Sequence, residues 1–185
     1  MKPVELSGRL VSLRELDEAD APALHAVYGN PDVCEYMSFT PRTVEQCASI
    51  IAAARKDVEA DPRQVYMLAV CGDDNELIGA ARLGLGEWKS AQFGIALRPD
   101  QWGNGRGTEA VRLLFHLGFR DLGAHRIWGA RSPRNHASAR LMAAAGMTED
   151  GTIRSHVLRH GTWEDSATAS ILEDEFTSLC ESESS

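Results

Sequence analysis

An α/β (α+β) fold, with a mixed, mostly antiparallel sheet flanked by helices, is predicted by three features of this 185-residue sequence. Two apolar runs, Val65 to Cys71 and Leu77 to Leu85, flank Gly72-Asp73-Asp74-Asn75 and read as a β-hairpin. A third run ends on Phe93, Ile95 and Leu97 and passes through Pro99 into Trp102-Gly103-Asn104-Gly105-Arg106-Gly107. Ala110, Leu113, Leu114, Leu117 and Leu122 then recur at helical spacing. A doubly wound dinucleotide domain places its glycine turn after its first strand, whereas antiparallel hairpins come first here.

Taken in order, Arg9 to Arg14 alternates as a strand. Asp17 and Asp20 supply the N-cap and first-turn acid of a helix carrying Leu24, Val27 and Tyr28, which Asn30-Pro31 ends. Val33 to Pro41 shows little period and reads as a packed connector. Thr43-Val44-Glu45-Gln46 is a capping box opening a second helix through Ile50, Ile51, Ala54 and Val58, closed by Pro62. Trp88 to Leu97 is a third antiparallel strand. His125 to Arg131 is a further strand, and Asn135 to Ala145 a helix stopped by Gly146. Val157-Leu158 and Ala167 to Leu172 make a last hairpin around His160-Gly161-Thr162. Residues 1–172 are expected to form one domain, and the acidic, Ser-rich tail at 173–185 is expected to fray.

The glycine turn is the candidate site. Alternating glycines leave backbone amides uncovered by side chains, and the first N–H groups of the following helix have no partner within it. A strand, a bare turn and a helix N-terminus together suit a phosphate or pyrophosphate. Gly107 is followed by Thr108-Glu109, where a P-loop would need Gly-Lys-Ser or Gly-Lys-Thr. A dinucleotide fingerprint would need a third glycine at Thr108.

Composition removes other classes. The chain is 43% hydrophobic and 25% charged, ordinary for a soluble globular protein. No apolar run could span a bilayer, and Met1-Lys2-Pro3-Val4-Glu5 lacks a leader's apolar core, so a cytoplasmic protein with no membrane partner is expected. Cys34, Cys47, Cys71 and Cys180 are scattered and read as reduced thiols. His156 and His160 are not expected to hold a metal, and Trp88 and Trp163 read as core or pocket walls. A net charge of −8 argues against a nucleic-acid binder, which would carry a basic face.

Trp102 to Gly107 resembles the acetyl-CoA signature of the GNAT N-acyltransferase superfamily, Q/R-x-x-G-x-G/A, with Trp102 at the Gln/Arg position. That departure, with Thr108-Glu109-Ala110 after it, is similar to the ribosomal-protein N-terminal acetyltransferase (RimJ/RimL-like) branch. Leu13-Arg14, Asn30-Pro31-Asp32-Val33, Asn135-His136-Ala137-Ser138, Gly146-Met147, Asp150-Gly151 and Arg154 extend the resemblance over residues 6 to 172.

The resemblance implies a GNAT-like sheet, acetyl-CoA as co-substrate and a primary amine as acceptor. Backbone amides of Gly103, Asn104, Gly105, Gly107 and Thr108 would hold the pyrophosphate, with Arg98 and Arg106 either adding charge or lying as solvated surface arginines. Ile95, Ala96 and Leu97 would pair with the pantetheine arm, and an N–H near Leu97 would face the thioester oxygen. Asn135 would contact pantetheine or serve simply as an N-cap, and Ser138 would protonate the departing thiolate. Asp150, beside Glu149, would be the general base or a plain loop carboxylate, and Tyr36 and its neighbours would wall the acceptor pocket. An α-amine with a pKa of about 8 is roughly a tenth neutral at pH 7, which favours an α-amine or a small amine of reduced pKa over a lysine. A small-molecule amine and a non-catalytic acyl-CoA-binding module remain as alternatives, and pairing into a homodimer is left open.

Overall fold

The computed structural model describes residues 3–159 and 161–183, with the backbone alone of Glu183. His160 lies outside the described residues. The strands are β1 (Glu5–Ser7), β2 (Ser12–Glu15), β3 (Val65–Cys71), β4 (Leu77–Leu85), β5 (Ser90–Leu97), β6 (Arg126–Arg131), β7 (Thr148–Arg159) and β8 (Thr162–Leu172). The helices are α1 (Ala21–Tyr28), α2 (Pro31–Cys34), α3 (Val44–Glu59), α4 (Arg106–His116), α5 (His136–Ala144) and α6 (Glu173–Glu183). One eight-stranded sheet runs β1-β2-β3-β4-β5-β6-β8-β7. Its pairs are antiparallel except β5 with β6, which run parallel and meet only at Ser90–Arg126, Ala91–Ile127 and Gln92–Trp128.

Period-two alternation sorts the apolar residues onto two faces. Leu68, Val70, Ala81, Leu83, Ala91, Phe93 and Ile127 pack with Val111, Leu114 and Phe115 of α4 and Met142 of α5. Met67, Ala69, Cys71, Ala80 and Ala96 pack with Leu24 and Val27 of α1 and Cys47 and Ile51 of α3. The two sides are called here the α4 face and the α1 face. Among the described residues, no helix is long and apolar enough to cross a membrane.

Local signals hold well at helix starts. Asp17 and Asp20 form a reciprocal capping box, and so do Thr43 and Gln46. Departures are informative. The expected strand from Arg9 begins at Ser12, because Gly8 donates to the Val11 carbonyl (2.9 Å) and turns the chain back onto β1. Asn30 opens α2 as well as ending α1, its Oδ1 accepting from the Asp32 N–H at 2.8 Å. The third strand starts at Ser90, since Trp88 and Lys89 have φ of 57° and 54°. Trp88 and Trp163 are 91% and 61% exposed and wall no core.

The tail expected to fray is α6 over Glu173–Glu183. Phe176, 1% exposed, stacks on Phe119 at 5.3 Å and meets Phe115 edge-on at 6.0 Å. One aromatic anchor holds a helix that its acidic composition concealed. Phe176→Ala should lower unfolding free energy by about 3–5 kcal/mol in urea titration. A loss under about 1 kcal/mol would place α6 outside the cooperative core.

Candidate active site

The glycine turn is built by backbone geometry. Arg98 N–H donates to the Ile78 carbonyl (2.9 Å), ending β5, and Pro99–Gln101 makes a single 3-10 turn. Gly103 and Gly105 have φ of 78° and 84°, the left-handed region open to glycine, and a Cβ at Gly103 would meet nothing within 4 Å. Asn104 Oδ1 accepts from Arg106 N–H (3.2 Å), and Glu109 N–H bonds the Gly105 carbonyl (3.0 Å). The N–H groups of Gly107 and Thr108 are left without partners inside the helix. This bare turn at the positive end of a helix dipole fits a pyrophosphate. Trp102, at the Gln/Arg position of the signature, sends its indole N–H to the Leu97 carbonyl (2.9 Å) and locks the turn to the strand end.

The two arginines beside the turn are occupied. Arg98 bonds Glu76 at 2.7 Å and Asp100 at 3.2 Å, and those hydrogen bonds, Glu76's first, raise its pKa above the ordinary value. Arg106 bonds Gln101 and, at 3.0 Å, Asp73, tying the turn to the β3–β4 hairpin. Gly107 serves packing: a Cβ there would lie 2.8 Å from Leu141 Cδ1 of α5. Glu109 was missed by sequence reasoning as a functional residue. Its carboxylate accepts from the backbone N–H groups of Arg9 and Leu10 and clamps the β1–β2 loop onto the first turn of α4. No local pattern could reveal a contact spanning about a hundred residues.

Beyond Gln92 and Trp128, β5 and β6 separate. Because Arg98 N–H bonds Ile78, the alternation of an antiparallel pair turns the Ala96 and Gly94 backbone groups toward β4. The Ile95 and Leu97 N–H groups therefore face the opening toward β6. That corrects the expectation for Ala96, whose backbone belongs to the sheet. A Cβ at Gly94, projecting onto the α1 face, would meet nothing within 4 Å, so that face is open beside the gap. A pantetheine arm, with its alternating amides, can pair there as an added strand.

Asn135 and Ser138 are brought together directly. Asn135 is the N-cap of α5, and its Oδ1 accepts from the Ser138 N–H at 2.9 Å. Its amide nitrogen stays available for a ligand. Ser138 is half-buried, and its hydroxyl has no hydrogen bond among the described residues.

Asp150 sits elsewhere. It is the extra residue of a β-bulge between the Glu149–Ala169 and Gly151–Thr168 pairs. One oxygen bonds Arg126 at 2.8 Å and the other accepts from Ser170 at 2.8 Å. Through the Ser170–Trp128–Gln92 register it lies at the closed end of the β5–β6 opening. Glu149 pairs with Arg131 at 3.1 Å. On β8, Ser166, Thr168 and Ser170 are buried in a row on the α1 face and bond His156, Gly151 and Asp150 of β7 respectively. On that face a cavity of about 330 Å³ is lined by Arg82, Ser90, Gln92 and Trp128 among others. Arg159 reaches from β7 to the carbonyls of Glu35 (3.3 Å) and Tyr36 (2.8 Å), joining the hairpin to the segment after α2. Among the described residues, no group of His, Cys, Asp and Glu could hold a metal ion.

A strand opening beside a bare glycine turn defines an acyl-CoA transferase site, and the sequence matches the family model of the acetyltransferase (GNAT) domain over residues 10–148. The chain belongs to that family and is an acetyl-CoA-dependent N-acetyltransferase. A probable N-acetyltransferase of Bacillus subtilis (strain 168), YjcK, is 32% identical over 175 residues, 90% of this chain and 96% of that protein. Ribosomal-protein-S5-alanine acetyltransferase from Vibrio fischeri shares the fold with a TM-score of 0.78 and 20% identity, covering 94% of this chain and 98% of that one. Spermidine N-acetyltransferase from Vibrio cholerae, solved with CoA and spermine, has a TM-score of 0.78 and 20% identity, covering 91% and 98%.

Gly107→Val should lower both the melting temperature and acetyl-CoA affinity, because the new side chain collides with Leu141. Adding Leu141→Ala should recover part of the melting temperature in calorimetry. Unchanged stability in the single variant would contradict the packing role.

Proposed function

We propose that the acceptor is a protein N-terminal α-amine, with the acetyl group passing through the β5–β6 opening from the α4 face to the α1 face. The observation that supports this acceptor is the charge pattern on the α1 face. Its strand carboxylates are already paired, Asp150 with Arg126, and Glu164 with Arg134 and Arg159. Arg82, by contrast, forms no ion pair among the described residues and lines the cavity there. A polyamine carries several positive charges, and the cavity offers it one carboxylate, Glu87, beside the Arg82 guanidinium. A peptide brings one amine, and its carbonyl oxygens or an acidic side chain suit Arg82.

In this reading Gly103 to Thr108 anchor the pyrophosphate, Ile95 and Leu97 bond the pantetheine arm and the thioester oxygen, and Asn135 contacts the arm. Ser138 donates its hydroxyl to the departing thiolate. Thiol release should be at least tenfold faster, as kcat/KM, with Ala- or Ser-initiated peptides than with spermidine at neutral pH. Faster turnover of spermidine would overturn the acceptor assignment.

Ser138→Ala should lower kcat by roughly 10²-fold with little change in acetyl-CoA affinity, since a group acting on the leaving sulfur works mainly in the transition state. Weakened acetyl-CoA binding with turnover spared would make Ser138 a binding contact instead.

A further inference from the structure

We infer that His156 is the proton acceptor for the amine, an inference that rests on the acetyl-transfer reading above. Between the Ile153–Ser166 and Val157–Glu164 pairs, Arg154, Ser155 and His156 stand against Asp165 alone. This wide bulge is anchored, because Ser155, at φ 50°, donates its N–H to Asp165 Oδ1 at 2.8 Å. The bulge sets the His156 imidazole beside Ser166, with Nδ1 3.0 Å from Ser166 Oγ. Ser166 is 4% exposed, so the partner that orients the ring is fixed while the ring itself reaches solvent.

Level and face both favour this residue. Ala167 pairs with Arg131, and Gln92 with Trp128. Continuing those registers puts Ser166 level with Ser132, and Ser132 level with Ala96. His156 therefore stands at the height of the Ile95 and Leu97 amides, on the α1 face, two residues along β5 from the Arg82–Gly94 pair that flanks the acceptor cavity. Asp150 bonds Ser170, four residues back along β8, or about 13 Å nearer the closed end at strand rise. Both its oxygens are engaged as well. Position and availability point to the imidazole over the carboxylate.

With Nδ1–H donating to Ser166 Oγ, Nε2 carries the free lone pair. The acceptor ammonium gives one proton to Nε2, directly or through a water, and the neutral amine attacks the thioester carbon. The C–N bond forms and the oxyanion is held by the Leu97 N–H, while the Ile95 N–H keeps the pantetheine arm. On collapse the C–S bond breaks, and the nitrogen's second proton passes through the Ser138 hydroxyl to the sulfur. His156 then releases its proton to solvent, leaving amide, thiol and one proton.

The test compares His156→Ala, His156→Gln and Asp150→Asn in acetyl-CoA calorimetry and amine-dependent thiol release. Both His156 variants should lose about 10²-fold or more in kcat with acetyl-CoA affinity unchanged. Glutamine keeps a polar group beside Ser166 and supplies no basic nitrogen, so it guards against a loss through misfolding. Millimolar imidazole should restore at least tenfold to His156→Ala, a response that a structural role would not give. Asp150→Asn should stay within about threefold of the parent. His156 variants within about threefold of the parent, or a loss that imidazole leaves untouched, would overturn the proposal. A parent enzyme that binds acetyl-CoA yet releases no thiol with any amine would instead overturn the acetyl-transfer reading on which it rests.

Discussion

Three residue pairs hold β5 to β6, and the site lies where that pairing stops. Just past the last pair, Phe93 lies so close over Gly129 that a Cβ there would be 2.4 Å from its ring. The strands then part around the Ile95 and Leu97 amides. An unpaired backbone N–H withdrawn from water costs about 1–3 kcal/mol. An amide-bearing arm laid along β5 removes that cost. The sheet is thus one strand short at this place, and the substrate can supply it.

Charge is used sparingly around this opening. The chain carries 19 Lys and Arg against 27 Asp and Glu, and most arginines near the site are already committed to carboxylates. Arg98 and Arg106 brace the turn against the β3–β4 hairpin, and Arg126 and Arg131 hold Asp150 and Glu149. Anion recognition therefore falls to backbone N–H groups at a helix start, whose positions are set by Asn104, Glu109 and Trp102. Such donors need no ordering of long side chains when the ligand arrives.

Local and periodic features were legible in the sequence. The capping boxes at Asp17 and Thr43, the β3–β4 hairpin and the strand–glycine–helix turn each follow from a few adjacent residues. The N-cap role of Asn135 and its link to Ser138 were legible for the same reason. Features that depend on distant partners were not. Glu109 gains its meaning from Arg9 and Leu10, Gly107 from Leu141, and the α6 helix from a cluster around Phe119. The family resemblance marks Asp150 and passes over His156. Only the strand register and two bulges in β7 set Asp150 beside Ser170, at the closed end, and His156 beside Ser166, four residues farther along β8.

Amide hydrogen exchange with and without CoA tests whether the ligand adds a strand to β5, because it reads that backbone residue by residue. Added protection is expected at Ile95 and Leu97 and from Gly103 to Thr108, with little change at Ala96, whose backbone groups face β4. Protection at Ala96 with none at Ile95 and Leu97, or no change anywhere along β5, would contradict the strand-addition site.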